Sequence, residues 1–244
     1  MNDKDRLSAF FQAIKDYDGK TSLACDLGCG SGILSYFLSQ YFDEIISLEM
    51  DSSAYKCARE NLADFDNVKV VNCDVLDYEF DREIDLIVCE MMDTALIDEE
   101  EIPVLNHARK FLKKDGTIIP KGIINSCELV NMERDYVHWD EHAKYEVFSD
   151  AVIYSQFDLL DDIDSEFEST ITLTSNKDGF VNGLKITTFT LLNDDLVCGP
   201  TPMLNPPLLI PLEKQLVKSN DLINVKLKYI MGNGIESIQT DILR

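Results

Sequence analysis

The sequence predicts an α/β fold in which a doubly wound, Rossmann-like parallel sheet spans residues 1–121 and a β-barrel-like or β-sandwich-like domain spans residues 122–244. Two observations predict the parallel sheet: a glycine-rich turn joins an apolar run to a helical pattern, and acidic residues follow several further apolar runs. After Gly122 the helical spacing changes to short alternating runs, with turn residues at 176–179 and 232–234. That alternation predicts antiparallel strands.

The glycine-rich turn at residues 26–32 reads Asp-Leu-Gly-Cys-Gly-Ser-Gly, and its glycines are Gly28, Gly30 and Gly32. Glycine permits a positive φ and lets a ligand approach the backbone, and the following helix offers free N–H groups at its start. The spacing differs from the dinucleotide pattern G-x-G-x-x-G, because Ile33 stands at the third glycine position. The carboxylate of Asp26 suits a cationic ammonium group better than a pyrophosphate, so the turn indicates S-adenosylmethionine as the ligand. The alternative is a purely structural turn.

Acidic residues end the apolar runs that follow the turn. Glu49 lies about twenty residues past it, where a carboxylate typically binds ribose hydroxyls. Asp74 ends the next run and is expected to accept a hydrogen bond from the adenine amino group, and Glu90 ends the run after that. The carboxyl ends of parallel strands meet at one edge of a sheet. These acids are therefore expected to converge with Asp26 on one ligand.

A second acidic stretch begins at Glu90 and continues through a partly apolar loop to Glu99. Two carboxylates held together in a partly desolvated site repel each other unless a cation lies between them. A guanidinium is always charged and presents a planar fork of donors that matches carboxylates. The pair Glu90 and Glu99 is therefore interpreted as a catalytic clamp for a cationic substrate. The alternative is that residues 98–101 are the acidic start of the next helix, which the helix dipole favours.

The net charge of −23 restricts the partners of this chain. An acidic surface opposes nucleic-acid binding, which depends on neutralising phosphates, and it favours cationic partners instead. Plain solubility is the alternative reason for this charge.

No apolar run is long enough to cross a bilayer, so no membrane contact is expected. The seven cysteines show no C-x-x-C pair, which favours reduced thiols in a cytoplasmic protein, and no metal is expected because the pair His138 and His142 lacks a third ligand.

The first half resembles class I S-adenosylmethionine-dependent methyltransferases, and more narrowly the protein arginine methyltransferases. The order D-x-G-x-G-x-G, strand-end Glu, strand-end Asp and an E-M-x-x-x-L loop is theirs, and their paired glutamates are nine residues apart, as Glu90 and Glu99 are. The family's upstream M-L-x-D-x-x-R-x-x-x-Y helix is matched by Met1, Asp3, Arg6 and Phe10. The resemblance implies that Arg6 binds the carboxylate of the cofactor and that the second half is a β-barrel closing over the substrate site.

The chain departs from this family in two places. Residues 202–207 stand where the family has a Thr-His-Trp loop, and Leu204 is the expected counterpart of its histidine, so no Asp3–His pair is expected. The segment between Val130 and Tyr154 is also too short for the family's dimerisation arm, which leaves the oligomeric state open.

These observations predict a methyltransferase that uses S-adenosylmethionine to N-methylate a cationic protein side chain, arginine above all. The first alternative is an RNA methyltransferase. Those acting on exocyclic amines usually carry an Asn/Asp-Pro-Pro-aromatic loop after the fourth strand, whereas residues 89–92 read Cys-Glu-Met-Met here. The second alternative is a catalytically weak scaffold that keeps the fold.

Overall fold

Five parallel strands form the sheet of the first half, in the order β3-β2-β1-β4-β5. The computed structural model describes residues 3–17, 23–140, 143–201 and 203–243. The elements of this half are α1 (Lys4–Asp16), β1 (Leu23–Leu27), α2 (Ile33–Leu38), β2 (Glu44–Glu49), α3 (Ser52–Asn61), β3 (Val68–Asn72), β4 (Ile84–Cys89), α4 (Glu101–Ala108) and β5 (Leu112–Ile119). The strand order reverses between β1 and β4, and ligands of such sheets bind where the order reverses, at the carboxyl ends of the strands.

The central strands β1 and β4 are buried along their whole length, as their apolar runs predict for a sheet covered on both faces. The helix α4 is shorter than its apolar pattern predicts. The apolar residues Val104, Leu105, Ala108, Phe111 and Leu112 have helical spacing, but α4 ends at Ala108, and β5 begins at Leu112 after one 3-10 turn. Two contacts fix this earlier change: Phe111 packs on Phe80, and the Lys113 ammonium pairs with the Asp85 carboxylate in β4 at 2.5 Å.

The second half consists of antiparallel strands. They are β6 (Gly122–Met132), β7 (His138–Trp139), β8 (Tyr145–Val147), β9 (Val152–Asp158), β10 (Glu166–Thr174), β11 (Gly179–Leu191), β12 (Val197–Cys198), β13 (Leu208–Val217), β14 (Leu222–Ile230) and β15 (Gln239–Leu243). One sheet has the order β7-β13-β11-β6-β8, with β9 and β12 attached to its strands, and the other has the order β10-β14-β15. The strict alternation of buried and more exposed residues along β14 is typical of a strand with one face on a core.

The fold class predicted from the sequence is confirmed: a parallel α/β sheet is followed by an antiparallel β domain. Buried apolar residues of both halves form one continuous core. The first sheet ends at Ile119 and the first strand of the second half begins at Gly122, so we propose residue 121 as the end of the first domain. Among the described residues, no helix is both long enough and apolar enough to cross a membrane.

Candidate active site

The glycine turn lies at the carboxyl end of β1 and leads into α2. Its three glycines all have a positive φ, which is +70° at Gly28, +54° at Gly30 and +87° at Gly32. A Cβ at Gly30 would meet nothing within 4 Å, so this glycine faces open space. A Cβ at Gly28 would instead lie 2.6 Å from the Sδ atom of Met91. The residue after Glu90 therefore packs directly on the turn, which brings the two predicted parts of the site together.

Glu49 connects the end of β2 to the glycine turn. One carboxylate oxygen accepts a hydrogen bond from the Gly30 N–H and the other accepts one from the Asp51 N–H, each at 2.8 Å. The side chain is largely buried at 8% exposure. Two backbone donors therefore hold the carboxylate beside the open face of Gly30, where the sequence predicted a ribose-binding group.

Asp26 is enclosed beneath the turn and does not face open space. It is 1% exposed, and its carboxylate accepts a hydrogen bond from the Ser35 hydroxyl at 2.5 Å. The Ser35 hydroxyl also lies 2.7 Å from that of Ser47. Burial raises the pKa of Asp26 to about 6, although the hydrogen bonds from Ser35 oppose this rise. The structure thus shows Asp26 joining β1 to the first turn of α2, while Ser35 joins that turn to Ser47 of β2.

Asp74 follows β3, at the same edge of the sheet. Its carboxylate caps a short 3-10 helix by accepting a hydrogen bond from the Leu76 N–H at 2.9 Å. The residue is half-buried, in agreement with its predicted position at the end of a strand.

Arg6 and Glu90 form an ion pair between α1 and the end of β4. Sequence reasoning assigned Arg6 to a cofactor carboxylate and did not anticipate this contact. The Nε atom of Arg6 is buried and has no hydrogen-bond partner among the described residues, so one donor of this guanidinium remains free for a ligand. Burial raises the pKa of Glu90 to about 7; Arg6 opposes this rise, and Glu99 adds to it.

The position of Arg6 depends on Asp3, the N-cap of α1. One oxygen of Asp3 accepts a hydrogen bond from the Arg6 N–H at 3.0 Å, and the other accepts one from the hydroxyl of Thr201 in the second half. Leu204, the expected counterpart of the family's histidine, is buried, and Thr201 of the same loop donates the hydrogen bond to Asp3. Met1 of the upstream helix motif and residue 202 of the segment 202–207 lie outside the described residues.

The loop between Glu90 and Glu99 is folded around Asp93, a residue that sequence reasoning missed. Its carboxylate accepts hydrogen bonds from the Ile97 N–H at 3.2 Å and the Glu99 N–H at 3.3 Å. Ala95 and Leu96 have φ values of +61° and +60°, which are strained for residues other than glycine. Burial raises the pKa of Asp93 to about 7, although hydrogen bonds from the backbone of Asp98 and Glu99 oppose this rise.

The second domain holds this strained loop in place. The Ala95 N–H donates to the hydroxyl of Thr188 at 2.8 Å, and the N–H groups of Gly232 and Gly234 donate to the carbonyls of Leu96 and Ile97 at 3.1 and 3.0 Å. These contacts hold Glu99 at the exposed end of the loop, and its pKa is raised by partial desolvation and by Asp98.

Glu101 belongs to the acidic stretch 98–101, for which the sequence left open an acidic helix start. It is fully buried in the first turn of α4, and neither of its carboxylate oxygens has a hydrogen-bond partner among the described residues. Helical spacing was the signal that could have found it, because Glu101 shares a face with the buried Leu105 and Ala108.

Known proteins match the first half of this chain in particular. A family model described as a methyltransferase domain matches residues 24–116. A ribosomal protein L11 methyltransferase of Thermosipho africanus is 36% identical over 128 residues, which are 52% of this chain and 46% of that protein. A probable protein arginine N-methyltransferase 6.1 of Oryza sativa subsp. indica is 33% identical over 144 residues, which are 55% of this chain and 37% of that protein. The chain belongs to the class I S-adenosylmethionine-dependent methyltransferases.

Two comparisons cover the whole methyltransferase. An uncharacterized protein of Methanothermobacter thermautotrophicus is 42% identical over 243 residues, which are 100% of this chain and 95% of that protein. The Trypanosoma brucei PRMT1 enzyme–prozyme heterotetrameric complex with AdoHcy matches with a TM-score of 0.79 at 16% identity, covering 98% of this chain and 95% of that one. That structure shows the shared fold, including the second β domain.

The cofactor of this methyltransferase is S-adenosylmethionine. The glycine turn and Arg6 each offer a feature that fits it. Gly30 leaves open the space that a side chain would fill, with Glu49 held beside it by backbone donors. The unpartnered Nε of Arg6 adds a buried donor suited to a carboxylate. No group of three or more His, Cys, Asp or Glu side chains within the described ranges is arranged to hold a metal ion. His142 lies outside those ranges.

Proposed function

We propose that this methyltransferase N-methylates arginine side chains of proteins, with Glu90 and Glu99 as the residues that hold the guanidinium. One observation carries this proposal: the Glu90 carboxylate, at the switch point beside the glycine turn, already accepts a guanidinium group, that of Arg6. A carboxylate so placed is suited to a second planar cation.

The negative charges of Glu90, Asp93 and Glu99 support a cationic substrate. Glu90, Asp93 and Glu99 have raised pKa values, because each is desolvated and adjacent carboxylates repel one another. A cation between such groups relieves this repulsion. The net charge of −23 adds a long-range field that attracts cationic proteins and repels nucleic acids.

The residues of the candidate active site have distinct roles in this proposal. S-adenosylmethionine supplies an electrophilic methyl group whose sulfonium is already a good leaving group. Glu90 and Glu99 orient the acceptor nitrogen toward that methyl group and stabilise positive charge as the bond forms. The turn glycines Gly28, Gly30 and Gly32 shape the cofactor bed, Glu49 binds the ribose, Asp74 the adenine and Arg6 the carboxylate. Asp26 supports the turn from below through Ser35.

Radioactive S-adenosylmethionine tests the choice of acceptor. We expect label in an arginine-rich peptide and none in the matched lysine peptide or in RNA. Glu90→Gln keeps an oxygen that can accept the hydrogen bond from Arg6, so it should bind S-adenosylhomocysteine within a few-fold of wild type, yet lose methyl transfer by about a hundredfold or more. Glu100→Gln is the matched control, because Glu100 is an exposed acid of the same segment. Label found only in RNA or in the lysine peptide, or an active Glu90→Gln enzyme, would overturn the proposal.

A further inference from the structure

Glu101 has a buried carboxyl group that the fold itself does not use. The residue is 0% exposed, and neither oxygen has a hydrogen-bond partner within the described part of the chain. Buried carboxyl groups are normally hydrogen-bonded or paired, because burial without a partner is unfavourable. This side chain therefore has unused hydrogen-bonding capacity inside the protein.

Three acids act on the carboxyl group of Glu101. They are Glu90 at the end of β4, Asp93 in the loop and Glu99 at the exposed end of that loop. Glu101 in turn raises the pKa of the buried Cys89 thiol in β4, after the larger effect of burial. Arg6 is a cation that contacts one of these acids, and it pairs with Glu90 rather than with Glu101.

The helix dipole does not explain this burial. Carboxylates in the first turn of a helix are stabilised by the dipole, and the alternative that we considered for residues 98–101 rests on that effect. Glu100 fits it, because it is the exposed N-cap residue. Glu101 is fully buried instead, and the acids that act on its carboxyl group include both residues of the proposed clamp, Glu90 and Glu99.

We propose that Glu101 is a specificity-determining residue that forms a third carboxyl wall of the acceptor site and accepts a hydrogen bond from a bound guanidinium. This proposal rests on the proposed function and names a further residue of the same site. An alkylated guanidinium has five N–H donors in one plane. Two pairs of these N–H groups would donate to Glu90 and Glu99, and the fifth N–H would donate to Glu101. A lysine ammonium has only three donors and must lose a proton before it can attack a methyl group.

Proton release follows from this arrangement. Burial and the neighbouring Glu90, Asp93 and Glu99 raise the pKa of Glu101 well above its usual range, and thus favour the protonated carboxyl group. When a guanidinium enters, the carboxylate form becomes favoured and the proton passes to the buffer. Binding of the cation and ionisation of Glu101 are thus coupled.

Calorimetry with propylguanidinium tests the coupling without methyl transfer. The protein saturated with S-adenosylhomocysteine is titrated at neutral pH in two buffers of different ionisation enthalpy, which gives the number of protons released. We expect wild type and Glu100→Gln to bind propylguanidinium more tightly than propylammonium and to release protons on binding, to which Glu90 and Asp93 also contribute because their pKa values are about 7. Glu101→Gln should bind at least about tenfold more weakly and release fewer protons per cation than wild type and Glu100→Gln. Urea unfolding of both variants checks that they are folded.

The outcomes separate this proposal from the proposed function. Unchanged affinity and proton release in Glu101→Gln, no binding of propylguanidinium by wild type, or a preference for propylammonium would each overturn the role of Glu101. Binding that depends on Glu101 in a protein that labels no arginine peptide would support the third carboxyl wall and count against the arginine methyl transfer alone.

Discussion

The carboxylate of Asp3 and the hydroxyl of Thr201 are hydrogen-bonded to each other, although 198 residues separate them in the chain. Burial alone would raise the pKa of Asp3, but this bond and those from backbone N–H groups hold it below its usual value. Asp3 caps α1, and α1 carries Arg6 to Glu90. The second domain thus fixes the helix that carries Arg6, which we propose as the residue that binds the cofactor carboxylate.

Replacing Thr201 with valine removes the hydroxyl and keeps the shape. We expect Thr201→Val to lower the free energy of unfolding by about 1–3 kcal/mol, because the bond goes to a charged group. We also expect about tenfold weaker binding of S-adenosylhomocysteine, since Arg6 is held less firmly. Urea unfolding and calorimetry measure both. Thr172→Val is the control, since it removes an exposed hydroxyl bond to Asn224 far from α1. Equal cofactor affinity in the two variants would contradict the role of Thr201.

Glu49→Gln tests the predicted ribose contact. The amide has one oxygen acceptor, so it cannot serve the Gly30 and Asp51 N–H groups and a ribose as a carboxylate does. We expect the dissociation constant of S-adenosylhomocysteine to rise about ten- to a hundredfold, in keeping with loss of charge-assisted hydrogen bonds. Glu44→Gln changes an acid of the same strand that pairs with Arg82 on the surface, and it should keep wild-type affinity. If the two variants bind equally well, Glu49 does not contact the cofactor.

Gly30→Ala tests the open face of the glycine turn. The added methyl group meets no protein atom within 4 Å, so the cost to the fold is that of an alanine at φ +54°, about 1–2 kcal/mol. The same methyl group enters the space assigned to the cofactor, and binding of S-adenosylhomocysteine should fall at least about a hundredfold. Gly32→Ala should destabilise more, because its methyl group would lie 2.6 Å from the Cδ1 atom of Leu62. Normal cofactor binding by a folded Gly30→Ala protein would exclude this turn as the cofactor bed.

The buried acids make stability depend on pH. Burial raises the pKa of Glu90 and Asp93 to about 7 and that of Glu101 well above its usual value, so the folded state keeps protons that the unfolded state has lost. Stability is therefore greatest at low pH within this window and falls as pH rises from about 4 to 7, by about 1.4 kcal/mol per pH unit for each such carboxyl group.

Glu101→Gln removes one of these groups. We expect urea unfolding at pH values across that window to show a smaller loss of stability than in wild type, with the variant more stable at neutral pH. Glu100→Gln should keep the wild-type slope, because its side chain is exposed. An unchanged slope in Glu101→Gln would mean that the carboxyl group is already ionised or already paired.

Local patterns were enough for the parts of the site that belong to single turns and strand ends. The positive φ values of Gly28, Gly30 and Gly32 and the positions of Glu49, Asp74 and Glu90 at strand ends follow from short sequence motifs. Asp26 was placed correctly along the chain, but its direction depends on Ser35 and Ser47, which belong to other elements. The early end of α4 likewise depends on Phe80 and Asp85, which are distant in sequence.

The sequence by itself determined the class of enzyme, because a glycine turn followed by acids at successive strand ends is a local pattern that needs no tertiary contact. The tertiary structure decided which charged groups meet. Arg6 pairs with Glu90, Thr201 bonds to Asp3, and Glu101 is buried with no hydrogen-bond partner among the described residues. Each of these relationships depends on how helices and domains pack, and packing joins residues whose separation in the chain carries no periodic signal.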